Sequence, residues 1–277
     1  MTIEIGRGLA EARALADAHW QALLVYAALG VVFPFLLLSS DPIFSLRNIM
    51  AIVSDPSTNR VGGSITGPLY LLGIVAVITA GAMLAAWNAI LAEMREGYIS
   101  ELMYGMVAGT AYLVTNIMLA ITIGLVTGLR LAVVDPETLA SGGTAVGIGL
   151  EIFRVLLSLV GAWIGVRLCL AGAIMGGRGK LEPLSAFVES WRLTRPAQWR
   201  LYGFYLLYGL IFAIPMVGLA MLHGAIIFAN EPGGLLETLM SFGWILLFAL
   251  YFLGQVLIPA GLYRTAEIGV AAREIFA

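Results

Sequence analysis

The chain has 277 residues, 60% of them hydrophobic and only 12% charged, with a mean hydropathy of +0.95. A soluble domain carries about 25% charged residues, so this composition excludes a water-soluble fold and points to lipid as the solvent. A net charge of −2 argues against a nucleic-acid partner, and a single cysteine, Cys169, with two histidines, His19 and His223, excludes an internal disulfide and speaks against a His/Cys metal centre.

The segment before the first apolar run mixes Glu4, Glu11 and Asp17 with Arg7 and Arg13, and no small-residue cleavage site follows. It is expected to stay on the protein as an anchor rather than leave as a secretion signal. A spanning helix needs about 20 mostly apolar residues. Five runs meet that directly: 20–38, 68–92, 105–129, 201–222 and 238–263. A fourth span in chain order lies within 146–176, where charges interrupt the pattern. The expected fold is therefore all-α: a polytopic membrane protein of six transmembrane helices in one domain, 1–277. Its parts are an amphipathic segment 1–19, spans one to four over 20–176, an amphipathic connection 177–199, spans five and six over 200–263, and a tail 264–277. Between the first two spans, IFSLRNIMAIV (43–53) has the composition of a short interfacial helix. The far-side loops are read as 39–67, 130–145 and about 223–237.

The fourth span contains EIFRVLLSLVGAWIGVR (151–167), with only twelve uncharged residues between Arg154 and Arg167. Their Cα atoms lie ~20 Å apart on a helix. Snorkelling of both side chains toward opposite headgroup layers brings the charges to about the hydrocarbon thickness. Glu151 shares a face with Arg154 and is expected to pair with it. The apolar LCLAGAIM (168–175) then leaves two readings. Either Arg167 marks the membrane boundary and protein covers this run, or the run lies in lipid and Arg167 needs an acidic or phosphate partner.

In KLEPLSAFVESWRLTRPAQW (180–199), Leu181, Leu184, Val188 and Trp191 fall on one helical face, and Glu182, Ser185, Glu189 and Arg192 on the opposite one. This is the pattern of an amphipathic helix lying along the membrane. Pro183 suits its first turn, Pro196 ends it, and Trp199 marks the interface where the fifth span begins. Orientation follows from the basic residues. Arg7, Arg13, Arg95, Arg178, Lys180, Arg192, Arg195, Arg200, Arg264 and Arg273 share the side of the termini, against Arg47, Arg60, Arg130 and Arg154 on the other. The positive-inside rule makes both termini cytoplasmic. Lys180 is the only lysine among fifteen basic residues, a bias that suggests a GC-rich bacterial genome.

The entry to the first span echoes the entry to the fifth. EARALADAHWQALLVYAALGVVF (11–33) matches ESWRLTRPAQWRLYGFYLLYGLIF (189–212) with one insertion, pairing Glu11 with Glu189, Leu15 with Leu193, Trp20 with Trp199, Tyr26 with Tyr205 and Gly30 with Gly209. Both spans run in the same direction, so the echo is a parallel one. The stretch SAFVESWRLTRPAQWRLYGFYLL resembles the recurring element of the YciC-like bacterial inner-membrane proteins and of the membrane domain attached to some glycerophosphodiester phosphodiesterases. The resemblance covers 185–207 well and 11–33 faintly. It implies six helices and a multi-pass location in the bacterial inner membrane. The catalytic barrel of some relatives is not expected, because the chain ends after the sixth helix, and no phosphodiesterase activity is carried over.

Chemistry is sparse. Intramembrane hydrolysis needs a nucleophile with a base, or a metal with at least three ligands, and the spans offer no Asp or Lys and no histidine placed to pair with Ser158 or Cys169. GGRG (176–179) lacks the preceding strand and the following GK[ST] of a phosphate loop. No catalytic residue, metal site or cofactor is expected. Pro34, Pro215 and Pro259, with nearby glycines, are read as kinking and packing the spans. The candidate contacts are Arg167, Arg178, Lys180, Arg192, Arg195 and Arg200, a basic cluster suited to anionic lipid headgroups or a partner protein. The expected function is a non-catalytic accessory or scaffold subunit of a membrane complex, or a lipid-associated organiser. The alternative is a transporter or lipid-handling protein with a basic cavity around Arg167.

Overall fold

The computed structural model describes residues 3–40, 66–92, 97–132, 143–229 and 234–276. Among these the secondary structure is helical throughout: α1 (Ile5–Ala27), α2 (Phe33–Ser39), α3 (Thr66–Leu91), α4 (Tyr98–Ala132), α5 (Gly143–Leu168), α6 (Ala171–Arg178), α7 (Pro183–Thr194), α8 (Gln198–Ala229) and α9 (Leu235–Phe276). Six segments are long and apolar enough to cross a membrane: Ile5–Ser39, Leu69–Leu91, Tyr98–Thr122, Val155–Arg178, Pro183–Ile227 and Leu235–Glu267. The chain is a six-span helical membrane protein with surface helices before spans one and five. The 43–53 segment and the side chains of the Glu151–Arg154 pair lie outside the described residues.

Two boundaries differ from the sequence reading. The third span's helix begins at Tyr98 rather than 105, because Ile99, Leu102 and Met103 extend the apolar pattern and Glu101 sits in the first turn, where the helix dipole favours an acid. The turn between spans five and six narrows to the residues between Ala229 and Leu235, because GAIIFA (224–229) continues the helix past His223.

The first span shows how a proline is accommodated. A five-residue π-turn, Ala28–Val32, joins α1 to α2, with Pro34 opening α2. Pro34 has no N–H to donate to the carbonyl four residues back, Gly30. Thr79 of α3 supplies the missing donor, its hydroxyl lying 3.0 Å from the Gly30 oxygen. In the turn before Pro259, Trp87 Nε1 likewise donates to the Val256 carbonyl at 2.8 Å. Both bonds are polar joints between spans.

Elsewhere small residues set the packing, as expected where lipid removes the hydrophobic drive between helices. Gly105 and Gly109 of α4 press on Gly81 of α3, Gly172 and Gly176 of α6 seat Trp87, and Gly261 of α9 lies against Gly8 and Ala12 of α1. A Cβ at any of these positions would meet a neighbour's atoms at less than the contact distance.

The two surface helices are built alike. The helix over α1 breaks at His19, which has non-helical dihedrals (φ −126°, ψ 24°), and the span proceeds from Trp20. After α7, a 3-10 turn at Arg195–Ala197 precedes Trp199. Both tryptophans are exposed. Gly8 and Ala12 are buried against α9, and Ala186 and Ser190, which stand in register with them, are buried in α7. Glu11 pairs with Arg264 at 3.7 Å, and the aligned Glu189 pairs with Arg178 at 2.8 Å. Each surface helix is thus pinned to the end of a neighbouring span by an acid at the same register position.

Candidate functional site

The fourth span breaks between Leu168 and Ala171. A break orphans backbone groups that an uninterrupted helix would pair, and orphaned groups inside a bundle are costly. Surface helix α7 fills the gap. Ser190 Oγ donates to the Arg167 carbonyl at 2.8 Å and accepts from the Leu170 N–H at 3.2 Å, and Thr194 Oγ1 lies 3.2 Å from the same carbonyl. Beyond the break, Leu170, Ala171, Ala173, Ile174 and Met175 are fully enclosed. The LCLAGAIM run is therefore covered by protein, largely by α3. The GGRG turn closes α6: Gly179 takes a left-handed conformation (φ 61°), Lys180 N–H bonds the Met175 carbonyl at 3.0 Å, and the Tyr104 hydroxyl sits on the carbonyls of Met175 and Lys180.

Arg167 does not snorkel. Its residue is only 2% exposed, and its guanidinium carbon lies 4.3 Å from the ring centre of Trp191 and 6.0 Å from that of Trp163. The two indoles meet edge to face, 5.4 Å apart. Such stacking stabilises a desolvated guanidinium by about 2 kcal/mol, yet it satisfies no N–H. Nε and Nη1 are buried without a hydrogen-bond partner among the described residues. The charge that acts on Arg167 is another cation, Arg195.

The six basic candidates stand in different surroundings. Arg167 is enclosed, and Arg195, whose charge reaches it, is exposed. Arg178 is engaged, with both terminal nitrogens on Glu189 at 2.8 Å and Nε on the Tyr263 hydroxyl at 3.1 Å, and Tyr263 donates onward to Glu267 at 2.9 Å. Lys180 is half-buried, and Arg192 and Arg200 lie at the surface. The apolar stripe of α7 also sits differently from a simple two-faced helix. Leu184 and Val188 are 61% and 63% exposed, whereas Pro183, Ala186, Phe187, Ser190 and Thr194 are buried against the bundle. The helix has three sectors: protein, lipid and water.

Two buried polar pairs were not legible in the sequence. Tyr26 donates to Glu101 Oε2 at 2.5 Å, both residues being almost fully enclosed. Trp244 Nε1 donates to His223 Nδ1 at 3.0 Å. The one available signal was an acid within an apolar stretch three residues after Tyr98. Among the described residues no three His, Cys, Asp or Glu side chains converge as metal ligands would.

On the other side of α5 from Arg167 lies a cavity of about 720 Å³, walled by residues of α3, α4, α5, α8 and α9. Arg167 does not line it, nor does any other charged residue. The alternative reading placed a basic cavity at Arg167. The cavity walled by these helices is a different space, lined by other faces of the fourth span.

No family model matches this chain, no curated protein matches it, and no solved structure matches it. The fold itself defines the class: a multi-pass helical membrane protein with six spans and two surface helices.

Proposed function

We propose that this protein is a non-catalytic, lipid-associated organiser of the bacterial inner membrane, with both termini cytoplasmic, which holds an anionic lipid phosphate at Arg167 and Arg195. The observation that carries the reading is the buried Arg167 guanidinium with two N–H donors unpaired. A phosphate oxygen would satisfy those donors and offset the repulsion from Arg195. The exposed Leu184–Val188–Trp191 stripe supports it, since it lays α7 on the bilayer surface where headgroups lie. The basic bias of the terminal side sets the orientation, and the resemblance at 185–207 suggests the membrane.

Native mass spectrometry of the detergent-purified protein tests this. A charge-assisted hydrogen bond contributes about 1.5–3 kcal/mol, so Arg167→Gln is expected to weaken retention of phosphatidylglycerol about tenfold. Arg192→Gln, on the open surface, leaves retention unchanged. Equal retention by wild type and Arg167→Gln overturns the reading. A stoichiometric protein partner in the same preparation would support the accessory-subunit form of the proposal.

A further inference from the structure

We propose that the cavity behind α5 is a second, separate site that binds a neutral lipid: a hydrocarbon body carrying an uncharged acceptor oxygen. Its volume, about 720 Å³, lies in the range of small-molecule pockets.

The glycines argue that the space is meant for a ligand. At the close crossings described above, glycines admit another helix. Gly161, Gly165 and Gly209, which line the cavity, have nothing within 4 Å of where a Cβ would stand. They are exposed, as is the neighbouring Leu206, so the mouth opens sideways toward lipid rather than through the surface helices.

The polar groups argue for the ligand's chemistry. None of the lining residues is charged or a histidine, and a charged ligand buried there would lie unpaired at high cost. Several lining hydroxyls and amides are already engaged: Asn116 donates to the Tyr112 carbonyl, Tyr202 to that of Leu159, and Tyr208 to that of Tyr251. Tyr205 differs from these. Its hydroxyl is buried and makes no hydrogen bond among the described residues, beyond its contact with the weakly polar Cys169 thiol. A thiol is a weak acceptor, so this hydroxyl would gain from an acceptor oxygen.

Depth separates two sources of such an acceptor. Tyr205 lies six residues beyond the interfacial Trp199, about 9 Å deeper along the helix. The ester carbonyls of a bilayer phospholipid are held near the interface by the charged headgroup. A neutral lipid has no such tether and can bring its oxygen to that depth.

Photolabelling in phosphatidylcholine vesicles tests the site. One probe is a diacylglycerol with a diazirine in its acyl chain, the other a phosphatidylglycerol with the same chain. The neutral probe is expected to label peptides covering 157–169 and 202–209 above the general lipid-facing background. Gly209→Phe and Tyr205→Phe lower that labelling about fivefold, and Gly203→Phe, a lipid-facing glycine outside the cavity, leaves it intact. Excess unlabelled dioleoylglycerol suppresses the wild-type signal, which keeps the test decisive if the Phe variants do not fold. Equal labelling by the two probes, or no competition by dioleoylglycerol, overturns the proposal. Arg167→Gln leaves this labelling unchanged, so failure here and failure of the headgroup site are distinguishable.

Discussion

The Ser190 hydroxyl bridges the break in the fourth span, donating to the Arg167 carbonyl at 2.8 Å while receiving the Leu170 N–H at 3.2 Å. One small side chain on a surface helix thereby completes the backbone of a membrane helix. Ser190→Ala strands the Leu170 N–H in a buried site and leaves the Arg167 carbonyl to Thr194 alone, and a stranded group costs about 1–3 kcal/mol. The variant should melt at a clearly lower temperature in detergent. An unchanged melting temperature would show that water or backbone adjustment fills the gap instead.

Tyr26 and Glu101 make a second test. The short bond between them joins spans one and three, and hydrogen bonds to charged groups contribute about 1.5–3 kcal/mol. Tyr26→Phe should destabilise by that order. In a Glu101→Gln background the same change should cost less, because the carboxyl that accepts the bond has already been replaced. Thermal unfolding of the four proteins in the cycle gives the coupling, and strict additivity refutes the direct pairing.

Pro34 and Thr79 should be coupled for a different reason. Thr79→Val removes a side-chain donor to the Gly30 carbonyl, at a cost of about 1 kcal/mol. Pro34→Ala restores a backbone N–H at the position that would normally serve it. Thr79→Val is therefore expected to be milder in the Pro34→Ala protein than in wild type, a difference measurable by the same cycle.

Close helix crossings give a prediction with an opposite pair of outcomes. Gly109→Leu, where the helices of spans two and three touch, should abolish folding or monodispersity. Gly209→Leu, where nothing opposes the new side chain, should be tolerated or stabilising. Size-exclusion profiles of the two variants decide it, and similar behaviour would mean that glycine position does not control packing here.

Six-span architecture was legible because hydrophobic length is a nearly sufficient signal in lipid. So was the lipid stripe of α7, which repeats at helical spacing. Its protein face was not, because Ala186, Ser190 and Thr194 carry little hydropathy, and in membranes it is such small or weakly polar residues that pack. Arg167 could be singled out as a charge out of place. Its enclosure could not, since Trp163 and Trp191 reach it from separate helices and only the tertiary fold brings them to one guanidinium. Glu101 was overlooked because the span was read as starting after it. The separation of Arg167 from the cavity depends on which way each face of α5 turns, and sequence periodicity alone does not say what each face meets.

The Ser190 bridge also has an order in time. Residues 167 and 190 are 23 positions apart, so during synthesis the fourth span emerges with its backbone incomplete. The side chain that completes it belongs to a later stretch. Until α7 has been made and has folded back, the Arg167 carbonyl and the Leu170 amide have only water or the insertion machinery to satisfy them. The fourth helix is finished from outside, by a segment made only after it.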